Sequence, residues 1–307
     1  MNGKKGEALM AEHVGIVGGG LMGSGIAYTV VLRSPAAVTI VEQNEELLSG
    51  CRARIDRLVA TGIQRAAINE AQAAEMRERF GFATELGALR GAAIVIEAVF
   101  EDLGVKQQVF KQLDRLCGPA TVLASNTSGI SITQIAKATQ HPERVVGTHF
   151  FNPVPVMKLV EIVRGEQTSD AAIAFAQSFC AGLGKEVVVS RDRPGFITTR
   201  IGQAYICEAL RCLEEGVGTA EDIDKGIRLA YNFPMGPFQL ADLVGLDTEL
   251  KIMESLEQEL GAEFHPGPIL RRLVAENRLG RKSGRGFFEY EKAGQGTEKK
   301  TAGDTRT

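Results

Sequence analysis

The chain has 307 residues, 44% of them apolar and 24% charged, which is ordinary for a soluble globular protein and leaves room for two domains with a sizeable core. A formal net charge of −3 without a long basic run argues against a nucleic-acid partner, and no apolar run approaches the roughly 20 residues of a membrane span. Five cysteines (Cys51, Cys117, Cys180, Cys207, Cys212) show no paired or metal-like spacing, so reduced thiols in a cytoplasmic setting are expected.

Residues 1–13 carry two lysines and no apolar core, so no secretory signal is expected there. A buried strand is predicted over residues 14–17. Gly18-Gly19-Gly20-Leu21-Met22-Gly23 follows at once, and residues 24–32 read as a helix. This is G-x-G-x-x-G in the setting that makes it informative, with a strand before it and a helix after it. Gly18 allows the tight turn, Gly20 lets backbone approach a pyrophosphate, and Gly23 lets helix and sheet pack closely. Alone the motif is weak. The next strand, residues 38–41, ends at Glu42, nineteen residues beyond Gly23. That spacing suits a carboxylate accepting from the ribose hydroxyls of NAD. A solvated strand-end glutamate is the plain alternative.

Residues 45–80 predict two helices, split at Gly62 and projecting from the sheet as an arm. Arg52, Arg54, Arg57 and Arg65 on that arm suit either an anionic ligand or a solvated face. Residues 92–99 form a continuous apolar run, the mark of a central parallel strand. Glu97 and Glu101 fall at its end, where sheets of this kind bind ligands. A helix is predicted over 105–116 and a buried strand over 121–124, ending in Ser125-Asn126-Thr127-Ser128-Gly129. These small polar groups suit a ribose, a nicotinamide or a substrate oxygen, or the cap of a helix over 131–137.

The stretch His149-Phe150-Phe151-Asn152-Pro153-Val154-Pro155-Val156-Met157-Lys158-Leu159-Val160-Glu161 carries the most chemistry. A strand leads into His149, two prolines forbid a helix, and a second strand covers 158–163. Leu159, Glu161 and Val163 share one face of it. A carboxylate on an apolar face is costly unless paired, and His149, twelve residues back, is the natural partner. A histidine held by a carboxylate has a fixed tautomer and suits a general base. Taken alone, the two residues equally describe a structural histidine and a solvated glutamate.

A helix over 169–183 and a strand over 186–190 follow. Past Arg191-Asp192-Arg193-Pro194-Gly195 the pattern turns helical, with helices predicted over 196–215, 220–229, 247–260 and 268–276. Pro234-Met235-Gly236-Pro237 is read as a turn.

Six blocks in this order resemble the L-3-hydroxyacyl-CoA dehydrogenase family: the glycine turn, Leu123-Ala124-Ser125-Asn126-Thr127-Ser128, the His149–Glu161 stretch, Pro194-Gly195-Phe196-Ile197, Pro234-Met235-Gly236-Pro237 with Gly245-Leu246-Asp247, and Gly280-Arg281-Lys282-Ser283-Gly284-Arg285-Gly286-Phe287. The resemblance implies an α/β fold: a doubly wound Rossmann-type NAD-binding domain with a helical arm over 1–192, then an all-α domain for substrate and homodimer contacts over 193–291. Residues 292–307 read as a disordered tail. It implies NAD-dependent interconversion of an (S)-3-hydroxyacyl-CoA and a 3-oxoacyl-CoA. His149 takes the place of the family's histidine and Glu161 that of its carboxylate. Ser128, with Asn152, would position substrate oxygens. Cofactor contacts fall on Gly18, Gly20, Leu21, Met22, Gly23, Glu42, Glu101, Lys106, Ser128 and Lys282, and Lys106 would also serve CoA. Arg65 stands for a CoA-contacting lysine, and Leu58 replaces an arm serine. Thr199 stands where the family carries an asparagine, which predicts a slower enzyme or a different substrate. Two rivals follow: a dehydrogenase of this architecture acting on a non-CoA hydroxy acid such as a sugar acid or carnitine, and a non-catalytic NAD-binding homologue.

Overall fold

The structure, a computed structural model, describes residues 11–290. The tail over 292–307 lies outside the described residues. The chain forms two compact units that meet in sequence at Thr199 and Arg200.

The first unit is built on one eight-stranded sheet in the order β3-β2-β1-β4-β5-β6-β7-β8. Its strands are β1 (His13–Val17), β2 (Ala37–Val41), β3 (Phe80–Ala83), β4 (Ile94–Glu97), β5 (Val122–Ser125), β6 (Val145–Phe150), β7 (Leu159–Arg164) and β8 (Glu186–Arg191). The helices are α1 (Leu21–Arg33), α2 (Glu45–Gln64), α3 (Glu70–Glu78), α4 (Leu103–Leu116), α5 (Ile132–Ala136) and α6 (Asp170–Gly182). Strands β1 to β6 run parallel, while β7 and β8 run the other way. Both faces of the sheet are covered, so the central strands are apolar throughout. Along β4, Ile94 and Ile96 join the core on one face and Val95 joins the core on the other. This is the period-two geometry of a strand.

Two local features differ from the sequence expectation. The arm does not break at Gly62. That glycine lies inside α2, and a Cβ there would come 2.6 Å from the Tyr28 hydroxyl of α1. Its role is close packing of the two helices. The break follows at Ala66, which adopts φ 53°, and Asn69 then opens α3 with a reciprocal capping box to Gln72. The second difference is β3, whose first residue was counted with the arm and whose other three were given no element.

The second unit is helical: α7 (Thr198–Glu214, whose first two residues belong to the first unit), α8 (Ala220–Tyr231), α9 (Pro237–Val244), α10 (Leu246–Leu260) and α11 (Gly267–Ala275). Helix α9 begins at the last residue of the Pro234–Pro237 turn, over residues for which no helix was expected. Pro237 instead occupies the first helical position, where a missing N–H costs nothing, and Asp224 accepts from the N–H groups of Phe238 and Gln239. Ile206, Leu210, Phe238, Met253 and Leu273 form its core. Buried Asp242 accepts from the N–H groups of Phe287 and Phe288 and from the Tyr290 hydroxyl. A Cβ on Gly286 would fall 1.9 Å from Asp242, so the last glycine-rich block is a packing requirement of this unit.

Candidate active site

The turn after β1 is shaped by contact. Gly18 sits at φ +93°, and a Cβ there would lie 2.7 Å from the Ala98 carbonyl. A Cβ on Gly23 would lie 1.8 Å from the Gly18 carbonyl, so helix α1 closes directly on the turn. Gly20, by contrast, faces open space. It precedes α1, whose start has no side-chain cap and no acidic residue in the first turn. Thirteen residues of helix thus end in free N–H groups beneath an open glycine, a cradle that fits a pyrophosphate. Leu21 is exposed beside it, and Met22 packs into the core. At the end of β2, Glu42 accepts from the Gly19 N–H at 2.6 Å. The carboxylate thus stands next to the turn.

A second cluster lies at the ends of β4 and β5. Glu97, fully buried, accepts from Lys106 Nζ at 2.7 Å, the Val99 N–H at 2.8 Å and Ser125 Oγ at 2.7 Å. Glu101 accepts from the Thr127 hydroxyl and the Ser128 N–H, and its other oxygen lies 3.1 Å from Lys106 Nζ. Lys106 was assigned to NAD and CoA from the resemblance. The structure places its ammonium inside the protein, 1% exposed, between two carboxylates. In this position it holds the loop that carries Ser128.

The third element is the β6–β7 hairpin. His149 and Glu161 are directly opposed in its register, so their side chains leave the same face. His149 Nδ1 lies 3.4 Å from Glu161 Oε2. The imidazole is 6% exposed, with the Phe151 ring 4.3 Å away and the Phe196 ring 6.4 Å away. Glu161 is fully buried and also accepts from the Ile197 N–H at 2.7 Å and from Thr198 Oγ1 at 2.6 Å. Burial alone would raise the Glu161 carboxyl. The bonds from His149, Thr198 and Ile197 outweigh it and bring the group to about 2. It is therefore a stable anion at neutral pH, able to orient an imidazole and to stabilise its cation.

The start of α7 joins these parts. Thr198 reaches Glu161, and Thr199 donates its hydroxyl to the Ser128 carbonyl at 3.1 Å. Asp192 adds a further tie, accepting from Ser131 Oγ and from the N–H groups of Ile132 and Thr133. The sequence reading did not single out Thr198, Asp192 or the counter-ion role of Glu97. All three lie outside the six motif blocks, Asp192 and Thr198 just beside the Pro194–Ile197 block.

Asn152 is exposed and precedes the cis-Pro153 bond. Arg65 is exposed at the end of α2. Lys282 belongs to the second unit, where it pairs with Asp247. All five cysteines are free, and four are buried. Among the described residues there is no cluster able to hold a metal ion, and no helix long and apolar enough to cross a membrane.

Comparison with known proteins gives the same picture from another side. Residues 13–193 match the family model of the 3-hydroxyacyl-CoA dehydrogenase NAD binding domain, and residues 195–290 match that of the 3-hydroxyacyl-CoA dehydrogenase C-terminal domain. The chain is 42% identical to a probable 3-hydroxybutyryl-CoA dehydrogenase of Bacillus subtilis, over 91% of this chain and 98% of that one. It is 40% identical to the human mitochondrial hydroxyacyl-coenzyme A dehydrogenase, over 92% of each. Among solved structures, (S)-3-hydroxybutyryl-CoA dehydrogenase from Ralstonia eutropha aligns with a TM-score of 0.87 at 39% identity, covering 92% of this chain and 99% of that one. The open glycine turn with its uncapped helix and strand-end glutamate fits the NAD that the matched domain binds. The chain is an NAD-dependent dehydrogenase and belongs to the 3-hydroxyacyl-CoA dehydrogenase family.

Proposed function

We propose that the chain interconverts an (S)-3-hydroxyacyl-CoA and the matching 3-oxoacyl-CoA, with His149 as general base and Glu161 as its partner. The observation that carries this reading is the β6–β7 register, which opposes His149 to a carboxylate held ionised by several donors. With Nδ1–H directed at Glu161, the neutral imidazole keeps Nε2 free as an acceptor. Nε2 takes the proton of the 3-hydroxyl, and Glu161 stabilises the imidazolium without taking the proton itself. NAD, when bound, supplies the hydride acceptor for C3. The rings of Phe151 and Phe196 keep water from the imidazole. Ser128 orients the substrate oxygen from a loop fixed by Glu101, Lys106 and Thr199.

The turn from Gly18 to Gly23 would hold the pyrophosphate, and Glu42 the adenosine ribose. Arg65, exposed and cationic, suits the phosphates of CoA, and Lys282 is a further cation for the cofactor. The second unit exposes Val217 (70%), Leu229 (65%) and Tyr231 (66%), apolar area that supports homodimer formation. Light scattering on the purified protein reads that directly, and a monomer removes it.

The deciding experiment follows NADH consumption with acetoacetyl-CoA, with longer 3-oxoacyl-CoAs and with free acetoacetate. CoA-dependent turnover is expected. Turnover with free acetoacetate alone would give the reaction to a non-CoA acid, and inactivity on every substrate would leave only cofactor binding.

A further inference from the structure

Two donors meet one oxygen of Glu161. Thr198 Oγ1 lies 2.6 Å from Oε2, and His149 Nδ1 lies 3.4 Å from the same atom. The other oxygen, Oε1, accepts from the Ile197 N–H at 2.7 Å. A hydroxyl at 2.6 Å from a carboxylate makes a strong charge-assisted bond, whereas 3.4 Å is beyond the usual N–H···O range. The carboxylate is thus held mainly by the start of α7, and the imidazole has the weaker share of it.

We propose that Thr198 is a positioning residue that sets the proton affinity of His149 by competing for Glu161 Oε2. The proposal rests on the reading of His149 and Glu161 as a base pair. A hydroxyl that donates to Oε2 withdraws negative charge from the imidazole, so the imidazolium is stabilised less than in a pair without a competitor. The groups facing the pair are the Ser190 hydroxyl from β8, the Ile197 N–H and Thr198 from the start of α7, and the uncharged rings of Phe151 and Phe196. Hydrogen bonds from Ser190, Ile197, Thr198 and His149 are what lower Glu161. Thr198 Oγ1 stands at hydrogen-bond distance from Oε2, and a side-chain change removes it while the pair itself stays whole. Its backbone position opens a 17-residue helix, and valine keeps its shape.

The test is the pH profile of turnover for wild type, Thr198→Val and Thr198→Ser, in both reaction directions with saturating NAD or NADH and the C4 acyl-CoA pair. Without the competing hydroxyl, Oε2 is left to the imidazole, and the limb that reports the base moves to higher pH by about 0.5–1 unit. Oxidation of the hydroxyacyl-CoA below the limb then slows by roughly threefold to tenfold, while reduction persists to higher pH. Thr198→Ser, which restores the donor, returns the limb to the wild-type position. A Thr198→Val profile that superimposes on wild type, with only a uniform loss of rate or a lower melting temperature, overturns the proposal and leaves Thr198 a structural residue. His149→Gln with wild-type turnover is a different failure: it removes the base pair itself, and the proposal with it.

Discussion

Glu161 on β7 and Glu249 on α10 lie in different compact units and are buried alike, 0% and 1% exposed. Glu161 accepts from a backbone N–H, a hydroxyl and an imidazole. Glu249 accepts from one donor, Gln203 Nε2. Burial raises both carboxyls. At Glu161 the donors reverse it and hold the group at about 2. At Glu249 the single amide cannot, and the group is pushed up to about 7. The amide oxygen of Gln203 is itself buried without a partner among the described residues. Donor count, rather than depth, decides whether a buried carboxyl is a charge for chemistry or a neutral acid for packing.

The comparison breaks most visibly at Glu161→Gln. The amide cannot stabilise the imidazolium, and its NH₂ meets groups that are themselves donors. Turnover should fall roughly 10³-fold or more, while NADH binding, read by fluorescence, persists. Turnover within tenfold of wild type would mean the carboxylate is only structural.

Acid should act on the first unit through the same residue. The folded Glu161 sits below its ordinary value of 4.5. Its contribution is therefore complete above that value and lost as the pH falls towards about 2. The amount is on the order of 3 kcal/mol. Denaturant unfolding of wild type and Glu161→Gln should converge as the pH is lowered from 6 to 3. A constant gap rules out the linkage.

Glu249 should act with the opposite sign. Its folded form keeps a proton that the unfolded chain loses, so its contribution is present below about 4.5 and is lost as the pH rises to about 7. Glu249→Gln removes that loss. The variant should be more stable than wild type at pH 8, by on the order of 1–3 kcal/mol, and show a smaller gain at pH 5. A destabilised variant at pH 8 would mean Glu249 is charged and paired.

The smallest effect belongs to Thr199, which touches neither glutamate but holds the Ser128 carbonyl. Thr199→Ala should lower turnover by roughly threefold to tenfold, and Thr199→Asn should match or exceed wild type. Steady-state rates with acetoacetyl-CoA check both, and an unaffected alanine variant would free Ser128 from that tie.

What could be read in advance was local. The β6–β7 hairpin was legible because Pro153 and Pro155 interrupt two strand patterns, and the meeting of His149 and Glu161 followed from their faces. The glycine turn and Glu42 were legible from spacing. The partners of Lys106 were not. Composition makes it a surface cation, and only the fold brings Glu97 beneath it. Gly62 misled for a similar reason: a helix breaker and a packing glycine look alike until Tyr28 is placed against it. Thr198 reaches a residue 37 positions away, a contact no periodicity encodes.

The opposed register of β6 and β7 also makes the loop between them a ruler. Surface loops generally accept insertions and deletions. Here Gly147 to Phe150 are matched one-to-one with Val163 to Val160. A single residue gained or lost between positions 151 and 158, if taken up by sliding β7, would turn every side chain of that strand to the opposite face. Val160 or Ile162 would then confront the imidazole, and Glu161 would be driven into the packing on the far side. Substitutions within the loop leave the pairing in place, but its length is tied to it.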